Sequence, residues 1–325
     1  MQSNELTRRE VLASAGALLS GLIVSSTRPA IAAASAPAAA SNPGAAAAGR
    51  ITIGKDMTVN RLGFGAMRVT GEGIWGEPPD LAEAKRVLRL AVELGVDFID
   101  TADAYGPDVS ERLIAEALYP YPKGLVIATK GGLVRPAREK WERDGRPAHL
   151  REACEASLKR LRLQRIDLYQ FHAIDPKVPL EDSLGEIAKL QKEGKIRHVG
   201  VSNFDAVELE RARKIVPVVS VQNRYNVADR SSDPVLAVCE RDGLAFIPWS
   251  PLSQSARDSN AGSRAALEAW AVERKVSLPQ AAIAWLLARS PAMLPIPGTS
   301  KAKHLEENVA AAALRIPPEE MRAIG

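Results

Sequence analysis

From Leu62 onward the chain repeats one unit, a short apolar run followed by an amphipathic stretch. Strand-like runs lie near Leu62, Phe98, Val126, Ile166, Ile196, Val218, Ala245 and Met293, spaced about 33 residues apart, one βα unit each. Strands that alternate with helices in this way lie parallel in one sheet. Eight of them suit an α/β fold of the closed (β/α)8 TIM-barrel type, and the rival is an open doubly wound sheet. The rival's dinucleotide fingerprint fails here. Gly63-Phe64-Gly65 follows the first run, but Arg68 stands where the third glycine belongs.

The connecting segments read as helices. Leu81, Ala84, Val87, Leu88, Ala91 and Val92 follow the i, i+3, i+4 spacing and stop at Gly95. The stretch from Glu181 to Gly194 repeats the design, with Leu184, Ile187, Ala188 and Leu190 facing inward. Ahead of the barrel, Ile51 to Val59 forms an N-terminal β-hairpin turning at Gly54-Lys55-Asp56.

Residues 1–50 stand outside the repeat. Thr7-Arg8-Arg9-Glu10-Val11-Leu12 resembles a twin-arginine export signal, followed by a mild apolar stretch from Val11 to Val24. Ala30-Ile31-Ala32 offers a small-x-small cleavage site. The expected organisation is therefore an export signal over 1–32, an Ala/Pro-rich flexible tether over 33–50 and a barrel domain over 51–325. On that reading the mature protein is periplasmic or otherwise exported, meets the twin-arginine machinery transiently and has no stable membrane anchor. No apolar run reaches the ~18 residues of a membrane span. The 43 basic and 39 acidic residues are well mixed, which gives nucleic acid no basic face to bind. Cys154 and Cys239 are too few for a disulfide scaffold or a structural zinc cluster, and read as packing residues. The histidines at 149, 172, 198 and 304 include no His-x-His pair, so no metal site is expected.

Barrel chemistry gathers at the C-terminal ends of the strands. There the sequence places Asp100 and, shortly after, Tyr105; then Lys130; then His172. A tyrosine, ordinarily ionising near pH 10, becomes a useful acid beside a cation such as Lys130. Asp100 would hold that lysine charged, and His172 would orient a carbonyl oxygen. Singly each residue has an ordinary structural reading, but four on one barrel face form a positioned general acid.

Phe98-Ile99-Asp100-Thr101-Ala102-Asp103-Ala104-Tyr105-Gly106, Ala128-Thr129-Lys130 and Asp167-Leu168-Tyr169-Gln170-Phe171-His172 resemble motifs of the aldo-keto reductase superfamily. The resemblance implies that Asp100, Tyr105, Lys130 and His172 are a catalytic tetrad. It implies reduction of an aldehyde or ketone to an alcohol, with hydride from NADPH and the proton from Tyr105. Gly200-Val201-Ser202-Asn203-Phe204 is similar to the segment that holds the nicotinamide, through Ser202 and Asn203, with Gln222 as third partner. Pro248-Trp249-Ser250-Pro251-Leu252 is similar to the segment that stacks an aromatic ring beneath it. By the same resemblance Gly65, Ala66, Met67, Ser250 and Leu252 line the cofactor. Gly298, Thr299, Ser300, His304, Glu307 and Asn308 surround the adenosine phosphates, with a helix N-terminus available for the anion. His304 stands where many members carry Arg; Lys301, Lys303 or Ser300 would compensate, and NADH is left open beside NADPH.

Gly65-Ala66-Met67-Arg68, Gly73-Ile74-Trp75-Gly76, Tyr119-Pro120-Tyr121-Pro122 and Ile296-Pro297-Gly298-Thr299-Ser300 resemble the bacterial pyridoxal-reductase-like branch. Selectivity is expected from the loops over 71–76 and 131–147, where Trp75 and Trp141 are apolar candidates. The alternative function is a cofactor-binding sensor or subunit with little turnover.

Overall fold

The computed structural model describes residues 44–251 and 260–325. The expected export signal, the expected tether up to residue 43 and Leu252 lie outside the described residues. The hairpin comes first, β1 (Arg50–Ile53) against β2 (Met57–Asn60), antiparallel with Ile51 opposite Val59. Gly54 turns it at φ +64°, a backbone state glycine adopts without steric penalty. The barrel then runs β3 (Phe64–Gly65), α1 (Leu81–Glu93), β4 (Phe98–Asp100), α2 (Val109–Leu118) and β5 (Val126–Gly131). An excursion follows, β6 (Leu133–Ala137) and β7 (Lys140–Arg143), before α3 (Pro147–Arg160) and β8 (Ile166–Phe171). Next come α4 (Leu180–Lys192), β9 (Ile196–Ser202), α5 (Ala206–Arg213), β10 (Val218–Gln222), α6 (Asp233–Asp242) and β11 (Ala245–Phe246). The chain closes with α7 (Ala261–Arg274), α8 (Leu278–Arg289), α9 (Ala302–Ala310) and α10 (Pro318–Ile324).

The parallel sheet runs β11-β10-β9-β8-β5-β4-β3, and the segment from Met293 completes the ring. Leu294 N donates to Phe246 O at 2.9 Å on one side, and Gly63 N donates to Pro295 O at 2.9 Å on the other. The barrel is thus closed, with its eighth strand in the expected place. Closure here needs bare backbone. A Cβ on Gly65 would lie 2.6 Å from Ile296 O, and one on Gly298 would strike Gly65 O.

The hairpin seals one end of the barrel. Ile53, Met57 and Val59 are buried in one cluster with the inward side chains Phe98, Ala128 and Leu168. Burying each large apolar side chain is worth roughly 1.5–3 kcal/mol. That end is therefore dry and apolar, which leaves the opposite end for polar groups.

The helices follow their expected periods. α1 buries Ala84, Val87, Leu88 and Ala91, and α4 buries Leu184, Ile187 and Leu190. Asp80 caps α1, and capping boxes start α5 (Asp205 with Glu208) and α8 (Ser277 with Gln280). Cys154 and Cys239 are free and buried, and burial pushes both thiols up to about 12, as suits packing residues.

Two expectations change. The boundary at residue 50 is too late, because Ala45–Ala48 form a short 3-10 turn that belongs to the barrel. Ala45 and Ala48 are buried, and Ala45 N donates to Leu94 O at 2.9 Å. Alanines that pack look in composition like alanines that merely link. The stretch 131–147, read as a plain loop, carries the β6–β7 hairpin. Most of its side chains are exposed on both faces, so no apolar alternation marks it.

Gly65→Ala should destabilise the barrel by about 1–3 kcal/mol, the usual cost of overpacking. Urea unfolding would show it as a lower midpoint at unchanged slope; an unchanged midpoint would mean that the closure tolerates a side chain.

Candidate active site

Side chains alternate along a strand, so every second residue points into the barrel. Phe98, Ala128 and Leu168 form part of the apolar layer. Two residues further along the same strands stand Asp100, Lys130 and Gln170. The register pairs Asp100 with Ala128 and Lys130 with Gln170. The period-2 pattern that packs the core thus delivers polar groups one layer above it.

These groups form one network. Lys130 Nζ donates to Asp100 Oδ1 at 2.6 Å, to Thr101 O at 2.8 Å and to Tyr105 Oη at 3.4 Å. Asp100 Oδ2 accepts from Gln170 Nε2 and from Gln222 Nε2, each at 2.8 Å. Lys130 and Gln170 are fully buried, so neither charge nor amide has water to fall back on. Burial disfavours the Lys130 charge, but Asp100 and Tyr105 outweigh it and its pKa stands above the ordinary lysine value.

Tyr105 lies in the turn between β4 and α2. Its ring meets His172 edge-on at 6.0 Å and Trp141 edge-on at 6.5 Å, centroid to centroid. Burial raises its pKa; Lys130 opposes that shift and Asp100 adds to it, for a net rise above 10.0. The expected net lowering by Lys130 is therefore reversed in this state, because desolvation of a buried phenolate is the larger effect. Tyr105 consequently keeps its proton at neutral pH. Burial, then the Lys130 charge, holds His172 well below the usual imidazole range, so its ring is neutral. His172 Nδ1 is buried and has no hydrogen-bond partner among the described residues.

Beside the tetrad, Asn203 has φ +62° and its Nδ2 donates to His172 O at 3.0 Å and Ser202 Oγ at 3.1 Å. Trp249 Nε1 donates to Asn203 Oδ1 at 3.1 Å. Ser202, Asn203 and Trp249 thus converge as the sequence suggested. Gln222 sits beside Ser202 in register, but its amide N–H is turned to Asp100. Gly65, Ala66 and Met67 lie at the end of β3 and the turn after it, where Ala66 O accepts from Ser110 Oγ at 3.1 Å. Ser250 has φ +56°.

At the far rim, Glu83, Arg86, Lys301, Lys303, His304 and Glu306 line an open groove at the start of α9. Ser300 is exposed beside it, and Thr299 Oγ1 caps Lys301 N at 3.1 Å. The helix N-terminus is not free: Ala302 N donates to Glu83 Oε1 at 3.0 Å, which holds the Glu83 carboxyl below the usual range. An anion there would rest on side chains rather than on that N–H. Asn308 is buried, Glu307 O accepts from Gln280 Nε2, and Glu306 lines the groove. Gln170 escaped the sequence reading, although its inward phase with Leu168 and His172 could have revealed it.

The aldo/keto reductase family model matches residues 61–325. The chain belongs to the aldo/keto reductase family. It is 51% identical over 282 residues to an uncharacterized oxidoreductase of Schizosaccharomyces pombe, covering 87% of this chain and 90% of that one. It is 40% identical over 274 residues to pyridoxine 4-dehydrogenase of Escherichia coli, covering 82% and 94%. Among solved structures, the glycerol dehydrogenase of Gluconobacter oxydans superposes with a TM-score of 0.75 at 29% identity, covering 85% and 94%. An aldo-keto reductase of Klebsiella pneumoniae in complex with NADPH superposes with a TM-score of 0.71 at 25% identity, covering 85% and 93%. The protein is an NAD(P)H-dependent oxidoreductase of a carbonyl-reducing family. Its residues fit a nicotinamide cofactor. Hydroxyl and amide groups of Ser202 and Asn203 meet Trp249 near His172, and Arg86, Lys301 and Lys303 offer positive charge at the groove.

In the cofactor-free protein, an ultraviolet difference titration of wild type against Tyr105→Phe should show Tyr105 ionising at a higher pH than an ordinary exposed tyrosine. A phenolate signal complete at lower pH than that of an exposed tyrosine would contradict the buried, proton-retaining tyrosine.

Proposed function

We propose that the protein reduces an aldehyde or ketone to an alcohol with NADPH, and that Tyr105 supplies the proton. The observation that carries this reading is the Asp100–Lys130–Tyr105 chain of contacts, buried beside a neutral His172. A bound nicotinamide supplies the hydride. As the carbonyl carbon is reduced, its oxygen gains negative charge, and Tyr105 Oη hands it a proton. The resulting phenolate lies against the Lys130 ammonium, which cannot move away because Asp100 and Thr101 O hold it. The neutral His172 ring donates one N–H to the same oxygen and fixes its direction. Gln170 and Gln222 keep Asp100 in place and so keep Lys130 aimed.

NADPH is preferred to NADH because Arg86, Lys301 and Lys303 bring positive charge to the rim groove, suited to an additional phosphate. The NADPH complex of the Klebsiella pneumoniae relative supports that choice. Pyridoxal is a natural first substrate to try, since the Escherichia coli relative is a pyridoxine 4-dehydrogenase.

Tyr105→Phe should lower kcat by about 10²–10⁴-fold while NADPH binding, read by fluorescence titration, is retained. Undiminished turnover in that variant would refute the acid. A wild type that binds NADPH but reduces no aldehyde in a broad panel would point to a sensor instead.

We further propose that residues 1–32 direct export of the folded protein through the twin-arginine machinery, with cofactor loaded beforehand. The order of Arg8-Arg9, the apolar stretch and Ala30-Ile31-Ala32 supports this. A reporter fused to residues 1–50 should be exported, and should stay in the cytoplasm once Arg8→Lys and Arg9→Lys are introduced. Retention of both forms inside the cell would sink the proposal.

A further inference from the structure

The β6–β7 hairpin, invisible to the sequence pattern, is tied across the active site by one residue. Arg135 on β6 is 6% exposed, and its Nε has no hydrogen-bond partner among the described residues. Its NH1 donates to Ile74 O at 2.9 Å, and its NH2 donates to Gly73 O at 3.1 Å and to Arg138 O. A planar, forked cation is thus used to bind backbone carbonyls of the loop after β3. The guanidinium also lies 3.9 Å from the centroid of the Trp141 ring and 5.5 Å from that of Trp75.

That loop is joined in turn to the catalytic turn. Gly76 N donates to Gly106 O at 2.7 Å, and Gly106 N donates to Ile74 O at 3.3 Å. Gly106 directly follows Tyr105. Ile74 adopts φ +58°, a conformation that is costly for a β-branched residue and persists only where surroundings enforce it. Its carbonyl accepts from both Arg135 and Gly106, which supplies that enforcement. The Trp141 ring is 40% exposed and meets the Tyr105 ring edge-on.

We propose that Arg135 is a positioning residue that clasps the two loops into a flat Trp75–Arg135–Trp141 wall beside Tyr105, selecting planar aromatic aldehydes over small aliphatic ones. The proposal rests on the carbonyl-reductase reading. The physical ground is shape and polarisability. An indole held rigid by a guanidinium presents a flat surface for an aromatic ring, with favourable offset or edge contacts, whereas a short alkyl chain makes little use of it. Burial of Arg135 lowers its pKa, a desolvation cost consistent with a cation retained for position.

The test compares benzaldehyde with propanal as substrates of the full-length, NADPH-supplied protein. Wild type should favour benzaldehyde in kcat/KM. Arg135→Met should raise KM for benzaldehyde about tenfold or more, and tenfold more than it does for propanal. Its NADPH affinity should match wild type, because the hydrogen bonds of Arg135 go to Gly73, Ile74 and Arg138, none of them among the cofactor residues named above. Arg135→Lys should recover only part of the loss, since an ammonium cannot span the Gly73 and Ile74 carbonyls with a planar fork. Trp141→Leu, at an exposed position, should reproduce the selectivity change even if Arg135→Met fails to fold. Equal losses on both aldehydes, or no change in either variant, would overturn the wall. Benzaldehyde binding to NADP-loaded protein, read by tryptophan quenching, separates the two levels of argument. Wild type that reduces no aldehyde in a broad panel, together with loss of benzaldehyde binding in Trp141→Leu, removes the reductase reading and leaves the wall standing.

Discussion

The buried ion pair between Lys130 and Asp100 is the constraint on which the site depends. An ammonium without solvent access survives only where a carboxylate and further acceptors replace its hydration, and here Asp100 and Thr101 O do so at 2.6 and 2.8 Å. Removing one member of such a pair typically costs about 3–5 kcal/mol, because the other is left charged and dry. The carboxylate is itself held by Gln170 and Gln222, one from each of two further strands. The ion pair therefore requires four strands in correct register. Catalytic geometry and barrel closure are one condition.

The division of the barrel into two ends follows from the same economy of solvation. The β1–β2 hairpin covers one mouth with Ile53, Met57 and Val59, so the interior layer of Phe98, Ala128 and Leu168 meets only hydrocarbon there. Polar inward residues can be tolerated only at the other mouth, where they can pair with one another and with a ligand. Low polarity beneath the site then strengthens each charge interaction above it. It keeps His172 neutral and Tyr105 protonated.

Much of this site was legible in the chain. Asp100, Lys130 and His172 sit at strand ends, and strand ends are marked by the break from apolar to polar residues. Tyr105 was recognisable by its place in the motif after Asp100. The partners were harder to read. Gln170 lies inside an apolar strand and looks like an exception until the register sets it opposite Lys130. Gln222 was assigned to the cofactor, but the direction of its amide depends on a carboxylate 122 residues away. Glu83 reaching the start of α9 joins residues 219 apart, and nothing local to either segment announces it.

The sequence alone determined the eight barrel strands, their parallel order, the helix faces and the four side chains Asp100, Tyr105, Lys130 and His172 gathered at one mouth. All of these follow from periodicity and motif within a few tens of residues. Only the tertiary structure decided that residues 44–50 pack against the barrel, that a polar hairpin follows β5, and that Arg135 clasps it to the loop holding Ile74. The physical reason is one of range. Local pattern records which face of an element is apolar, whereas a buried cation, a shared carboxylate or a clasp between loops is chosen by whatever the closed barrel brings within hydrogen-bonding distance.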